Sequence, residues 1–197
     1  MTKPIYITPD LFRDPDSNSD KMRESGIEDT FKNLFMQSDE HFWVNKIDNS
    51  DGVIRYTDDS GKLLFWGVQE CKLHKTANYH KQLVQALVYI HLRIQKYPHL
   101  KDSARLLFLS NEKFANIVYL DNILDSNFWW QFQFLYEGHC HTRYGSVKGS
   151  ASNFYAKCGE VQALIADYAP RFRGAKAEFK DEFNFGKIVE NILENCL

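Results

Sequence analysis

Apolar residues recur along the chain with two periods, one helical and one extended, and their order predicts the architecture. Ile27, Phe31, Leu34 and Phe35 fall at three- and four-residue steps, which predicts a first helix over residues 27–36. Apolar and β-branched runs at 41–44 and 51–56 predict two strands joined by the turn-forming Asp48-Asn49-Ser50. Asp58-Asp59-Ser60-Gly61 predicts a tight turn into a third strand, 63–71, which completes an antiparallel meander. Leu83, Leu87, Ile90 and Ile94 form the buried stripe of a helix over 79–96, stopped at Tyr97-Pro98. Short apolar runs at 105–109 and 116–120 predict two more strands. Helix, three strands, helix, strand is the order of an α/β fold: a mixed β-sheet flanked by helices.

The pattern is looser at both ends. Residues 1–24 carry Pro4, Pro9, Pro15 and a polar run, and read as an N-terminal arm. Residues 25–125 form the expected core, and 126–197 a helical C-terminal extension packed on it. Within the extension, 128–136 alternate aromatics with Gln131 and Gln133. That suits either an aromatic strand lining a nucleic-acid groove or a piece of core. Residues 138–153 read as loop, 155–168 as helix, and 171–176 as a basic linker or phosphate-facing loop. The last helical pattern, Ile188 to Leu193, reaches Leu197 without a stop signal. This suits a module of a larger polypeptide or complex.

Composition narrows the class. A chain of 197 residues with 44% hydrophobic side chains can bury a sizeable core. Cys71, Cys140, Cys158 and Cys196 form no CxxC pair, as expected of a reduced compartment. With no signal-peptide pattern and no run near the ~20 apolar residues of a membrane span, the expected location is cytoplasmic, with no membrane partner. A net charge of −2 excludes a uniformly basic nucleic-acid binder. The distribution is uneven, however: residues 1–60 hold 13 acidic against 7 basic side chains, and residues 61–197 hold 13 against 17. An acidic patch beside a basic lobe suits phosphate binding with carboxylates kept for a cation.

The chemistry concentrates between Asp51 and Tyr89. Asp51 heads the second strand and Glu70-Cys71-Lys72 ends the third. Strand period two places Glu70 and Lys72 on one face. Phosphodiester hydrolysis needs charge on the phosphate neutralised and a hydroxide at neutral pH, and a divalent cation supplies both. Mg²⁺ (or Mn²⁺) would take Asp51, Glu70 and the backbone carbonyl of Cys71, with Lys72 orienting water or stabilising developing charge. Gln82, Gln85, Tyr89, Arg93 and Lys96 share a helix face apart from the apolar stripe, and Lys75, Lys81 and Arg93 are the basic candidates for nucleic-acid contact. Glu28 admits two readings: a further metal ligand, or the acid of a Ser25-x-x-Glu28 capping box. His139, His141, Cys140 and Cys158 form a weaker, zinc-type alternative. Cys71, alternating between Glu70 and Lys72, points away from the site and is rejected as a nucleophile.

These residues resemble the PD-(D/E)XK nuclease superfamily, including its RecB-like and restriction-endonuclease-like branches. Asp51 matches the family aspartate that opens the second strand. Glu70-Cys71-Lys72 matches its acid-x-Lys signature, and Glu28 matches the acid often found on its first helix. Gln85-Ala86-Leu87-Val88-Tyr89 fits the QxxxY of the RecB-like branch. Ser50 stands where the name-giving proline would be, and the likeness stops near residue 120. It implies a restriction-endonuclease-like core and a Mg²⁺-dependent nuclease, with DNA as substrate and RNA as the alternative. Such a chain could be the cleavage module of a restriction-modification or repair enzyme. Asp51, Glu70, Lys72, Gln85 and Tyr89 would be catalytic. The rival reading is a catalytically silent nucleic-acid or protein binding module on the same fold.

Overall fold

A computed structural model describes residues 4–12, 23–47, 50–140 and 151–197. Strand β1 (Tyr6–Ile7) precedes helix α1 (Glu24–Ser38) and the meander β2 (Phe42–Asn45), β3 (Gly52–Thr57) and β4 (Leu63–Cys71). Helix α2 (Tyr79–Lys96) leads to the hairpin β5 (Ala104–Ser110) and β6 (Phe114–Tyr119). Helices α3 (Asn127–Cys140), α4 (Ala151–Lys157) and α5 (Gly159–Tyr168) follow, then β7 (Gly174–Glu178), β8 (Phe183–Asn184) and α6 (Gly186–Cys196).

Six strands form one sheet in the order β2-β3-β4-β5-β6-β7, and β1 pairs with β8 in a small second sheet. Within the large sheet β4 and β5 are parallel and every other pair is antiparallel. The parallel pair needs a crossover, and α2 supplies it. The fold is thus α/β, a mixed sheet flanked by helices.

Strand alternation sorts the core into two layers. Phe65, Ile54, Leu106 and Phe108 face α1 and α6 with Phe31, Phe35 and Phe185. Trp66, Val68, Val53 and Leu107 face α2 and the α3–α5 helices with Leu83, Leu87, Phe128 and Phe132. Gly67 is required where β4 approaches β5: a Cβ there would lie 2.2 Å from the Leu106 carbonyl oxygen, beside a register shift.

Several sequence expectations are corrected. Helix α1 begins at Glu24 with Arg23 as its N-cap, so Ser25 lies inside the first turn, and among the described residues no side chain caps the helix. The capping box is therefore absent, and the Glu28 carboxylate instead meets Lys46 Nζ at 3.1 Å. Residues 128–136 are helical, not a strand. Phe128, Trp129, Phe132, Tyr136 and His139 are buried at helical spacing, and this period overrides the apparent alternation with glutamine. Helix α3 also takes in Gly138, which had read as loop; Gly145, Gly149 and His141 lie outside the described residues. The helix expected over 155–168 is broken at Cys158 into α4 and α5. The basic stretch 171–176 supplies β7, so residues 126–197 complete the sheet as well as covering it. Among the described residues no helix is long and apolar enough to cross a membrane.

Candidate active site

The site lies where β3 begins and β4 ends. Antiparallel pairing sets Gly52 opposite Gln69 and Val53 opposite Val68, which brings Asp51 against the 70–71 segment. The contact is direct: the Cys71 amide donates to Asp51 Oδ2 at 2.7 Å. Cys71 was expected to offer its carbonyl to a cation; the group seen against Asp51 is its N–H. Its thiol is fully buried against Ser110 Oγ at 3.1 Å, and burial pushes its pKa well up, which agrees with its rejection as a nucleophile.

Glu70 and Lys72 do share a face. Lys72 Nζ sits 3.1 Å from Glu70 Oε1 and 2.6 Å from Glu24 Oε1, so one ammonium bridges β4 and the first turn of α1. Glu28 stands one turn further along α1. Its backbone carbonyl accepts from Gln69 Nε2 at 3.1 Å, which locks the helix to the β4 end. Carboxylate oxygens of Glu24, Glu28 and Asp51 lie within 4.8 Å of one another. Glu24 was not anticipated. Its signal in the sequence was only an acid four residues before Glu28, which places both on one helix face.

The electrostatics are strained. Burial, then the Asp51 charge, push Glu70 up to about 8 against the pull of Lys72. Burial and Asp51 likewise raise Glu28, with Lys46 opposing. Burial works against the Lys72 ammonium, yet Glu70, Glu24 and Asp51 hold its pKa above the usual lysine value. Glu70 Oε2 is buried and, among the described residues, meets no hydrogen-bond donor.

Helix α2 roofs the site. Gln82, nearest its start, donates to the carbonyls of Glu70 (3.4 Å) and Ser110 (3.3 Å) and ties the helix to the strand ends. Gln85 is buried, and its Oε1 likewise meets no donor among the described residues. Tyr89 is half-buried; burial and the nearby Glu70 and Asp51 push its hydroxyl up to about 12. The basic candidates do not gather in one place. Lys75 is exposed in the short turn before α2, and Lys81 and Arg93 are separated along α2 by about 18 Å at 1.5 Å per residue.

The donor set fits a hard divalent cation. Three carboxylates converge while the Glu70 Oε2 oxygen is desolvated without a donor, and oxygen ligands of this kind are what Mg²⁺ and Mn²⁺ take. Glu24, Glu28, Asp51 and Glu70 would hold it. Among the described residues, that acidic group is the one set of three metal-type ligands. It does not include His139, Cys140 or Cys158, and His141 lies outside the described residues. Burial lowers the His139 pKa, while Cys158 Sγ lies 3.6 Å from Glu160 Oε2. Comparisons with protein-family models, with curated proteins and with solved structures find no significant match for this chain.

Proposed function

We propose that the chain is a Mg²⁺- or Mn²⁺-dependent nuclease on a restriction-endonuclease-like, PD-(D/E)XK-type fold, hydrolysing phosphodiester bonds in nucleic acid, with DNA as the first substrate to test. One observation carries this reading. A lysine bridges two acids at the mouth of a sheet edge where further carboxylates crowd together and a buried carboxylate oxygen lacks a donor. Four acids, Glu24, Glu28, Asp51 and Glu70, share two lysines there, more negative charge than an ordinary structural ion pair carries. Strongly perturbed acids grouped with a cation are what a catalytic site requires.

A bound divalent cation would supply Lewis acidity toward the phosphate and a lowered pKa for a coordinated water. The chain's own residues do the rest. Asp51, fixed by the Cys71 amide, presents its other oxygen to the site. Lys72 stays protonated and is positioned by Glu24 and Glu70 to orient the attacking water or to meet developing charge. Tyr89, neutral at physiological pH, can donate its hydroxyl proton to a phosphate oxygen. Gln85, buried one turn earlier on α2, can position a neighbouring side chain.

The test is cleavage of single-stranded DNA, duplex DNA and RNA with Mg²⁺, Mn²⁺ or EDTA. Cation-dependent cleavage that disappears in Lys72→Ala and Asp51→Ala, with circular dichroism unchanged, is the expected result. Folded variants that cleave like the parent would refute the assignment. A chain that binds nucleic acid but never cleaves, in either cation, is the silent binding module instead.

A further inference from the structure

Strand β7 lies at one edge of the six-stranded sheet, and β6 occupies its inner side. The Phe179 amide donates to the Lys113 carbonyl at 2.8 Å, and the Arg173 carbonyl accepts from the Tyr119 amide at 2.9 Å. In an antiparallel ladder, residues bonded to the neighbour alternate with residues whose backbone groups point the other way. Arg173, Ala175, Ala177 and Phe179 therefore bond toward β6, and the N–H and C=O groups of Gly174, Lys176 and Glu178 point outward. Among the described residues no strand pairs with that side. Lys176 and Glu178 are exposed, and Ala175 and Ala177 are half-buried on the α6 face. A cavity of about 290 Å³ runs along the strand there, with Ile117, Ala175, Ala177, Phe183 and Ile188 as its apolar lining.

A row of outward N–H and C=O groups is a template for another strand. Charge selects the register when that strand is a second β7 running antiparallel. Outward groups must meet outward groups, which leaves few centres. Centred on Lys176, the pair sets lysine against lysine; centred on Glu178, glutamate against glutamate. Centred on Ala175, it sets Lys176 against Gly174. Centred on Ala177, it sets Lys176 opposite Glu178 twice and alanine opposite alanine. Unlike charges directly opposite stabilise an antiparallel pair, and like charges oppose it. A lysine normally guards an exposed edge against pairing. Here the strand carries the complement of its own lysine two residues away. The Lys176 ammonium lies 4.7 Å from the Phe114 ring, and Glu178 reaches Lys180 Nζ at 3.3 Å. Both are side-chain contacts within the chain and leave the backbone edge uncovered.

We propose that β7 docks a second copy of this chain, antiparallel and edge to edge about a two-fold axis at Ala177, which joins the two six-stranded sheets into one. Lys176 and Glu178 of each copy then exchange backbone hydrogen bonds with Glu178 and Lys176 of the other. The axis runs perpendicular to the sheet, so both α6 helices lie on one face and the two apolar cavities meet beside Ala177. The same patch serves both copies, as closed two-fold assembly requires. This inference is independent of the nuclease reading, because β7 stands three strands from β4 and its acids.

Sedimentation equilibrium of the full chain over a concentration series tests it. The parent should dimerise at micromolar concentration. Lys176→Glu sets glutamate against Glu178 at both pairings and should weaken the dimer about tenfold. Adding Glu178→Lys reverses both signs, keeps the complementarity and should bring the constant back to within about threefold of the parent. Amide hydrogen exchange locates the contact. The amides of Lys176 and Glu178 should gain protection as concentration rises, while those of Ala175 and Ala177, already in the β6 ladder, should not change. A parent that stays monomeric overturns the proposal. So does a folded Lys176→Glu protein that associates like the parent, a double variant no better than the single one, or a dimer in which the Lys176 and Glu178 amides exchange as in the monomer.

Discussion

Strand β3 has a carboxylate cluster at each end, and the two are built in opposite ways. At its far end Asp39 accepts from the His41 amide (2.9 Å), the His41 ring (2.8 Å) and the Tyr56 hydroxyl (3.2 Å). The other His41 nitrogen meets Asp59 at 2.9 Å. Burial works against the Asp39 charge, yet these donors hold its pKa below the ordinary carboxylate value. Hydrogen bonds to Asp59 and Asp39 raise His41. At the near end Glu28 and Glu70 are raised instead, because burial and Asp51 outweigh what Lys46 and Lys72 return. A cluster meant only to hold a fold is satisfied by its own donors. One kept short of positive charge is what the proposed cation site requires.

Mutations should separate the two ends, first through activity. Asp51→Ala or Lys72→Ala should lower cleavage by about 100-fold or more, the scale of losing one preorganised charge-stabilising group. Asp39→Ala should leave it within twofold. Rates on a labelled oligonucleotide check this, and comparable losses at both ends would erase the distinction.

Stability should move in opposite directions. Asp51→Asn keeps an acceptor for the Cys71 amide while removing the charge that disfavours ionised Glu28 and Glu70, and should stabilise by about 1 kcal/mol. Asp39→Asn weakens charge-assisted bonds to His41 and Tyr56 and should destabilise by about 1–2 kcal/mol. Urea unfolding of the two variants decides the sign. In the same spirit, Mg²⁺ should raise the parent's Tm at pH 8 and leave Asp51→Asn unmoved, because a ligand stabilises only the state that binds it.

A further set of effects concerns pH. Asp39, lowered on folding, contributes stability above its unfolded value of 3.8 that is lost as pH falls through the folded pKa. His41, raised on folding, contributes stability below 6.5 that is lost as pH rises through its folded pKa. Glu70 adds to the second limb. Raised from 4.5 to about 8, it resists ionisation in the fold, so the native state loses ground as pH rises between those values. Without metal, Tm should therefore peak in mildly acid solution and decline toward pH 8. Glu70→Gln should flatten that decline, and a parent curve flat from pH 5 to 8 would contradict the frustrated end.

Elements with an unambiguous period were readable along the chain. The meander, α2 and the β5–β6 hairpin lie within two residues of their expected limits, because one face of each carries a continuous apolar row. Asp51, Glu70 and Lys72 were legible for the same reason: strand ends and a period of two already bring them to one edge. Where two periods competed, the local pattern left the choice open. Phe128 to Tyr136 alternates with glutamine like a strand, but only the packing of Phe132 against Phe154 and Trp129 reveals which rings need burial. The Ser25–Glu28 spacing satisfied a capping rule, yet the N-cap is Arg23, two residues earlier, and the helix starts at Glu24.

Tertiary structure alone decided the rest. Glu24 reaches Lys72 across 48 residues and Lys46 reaches Glu28 across 18, distances at which spacing carries no information. A cavity beneath α2 is likewise invisible in sequence, since its floor and roof come from separate elements that meet only when the crossover is laid on the sheet. Periodicity reports which way a side chain faces within its own element. What it faces is set by how the layers dock.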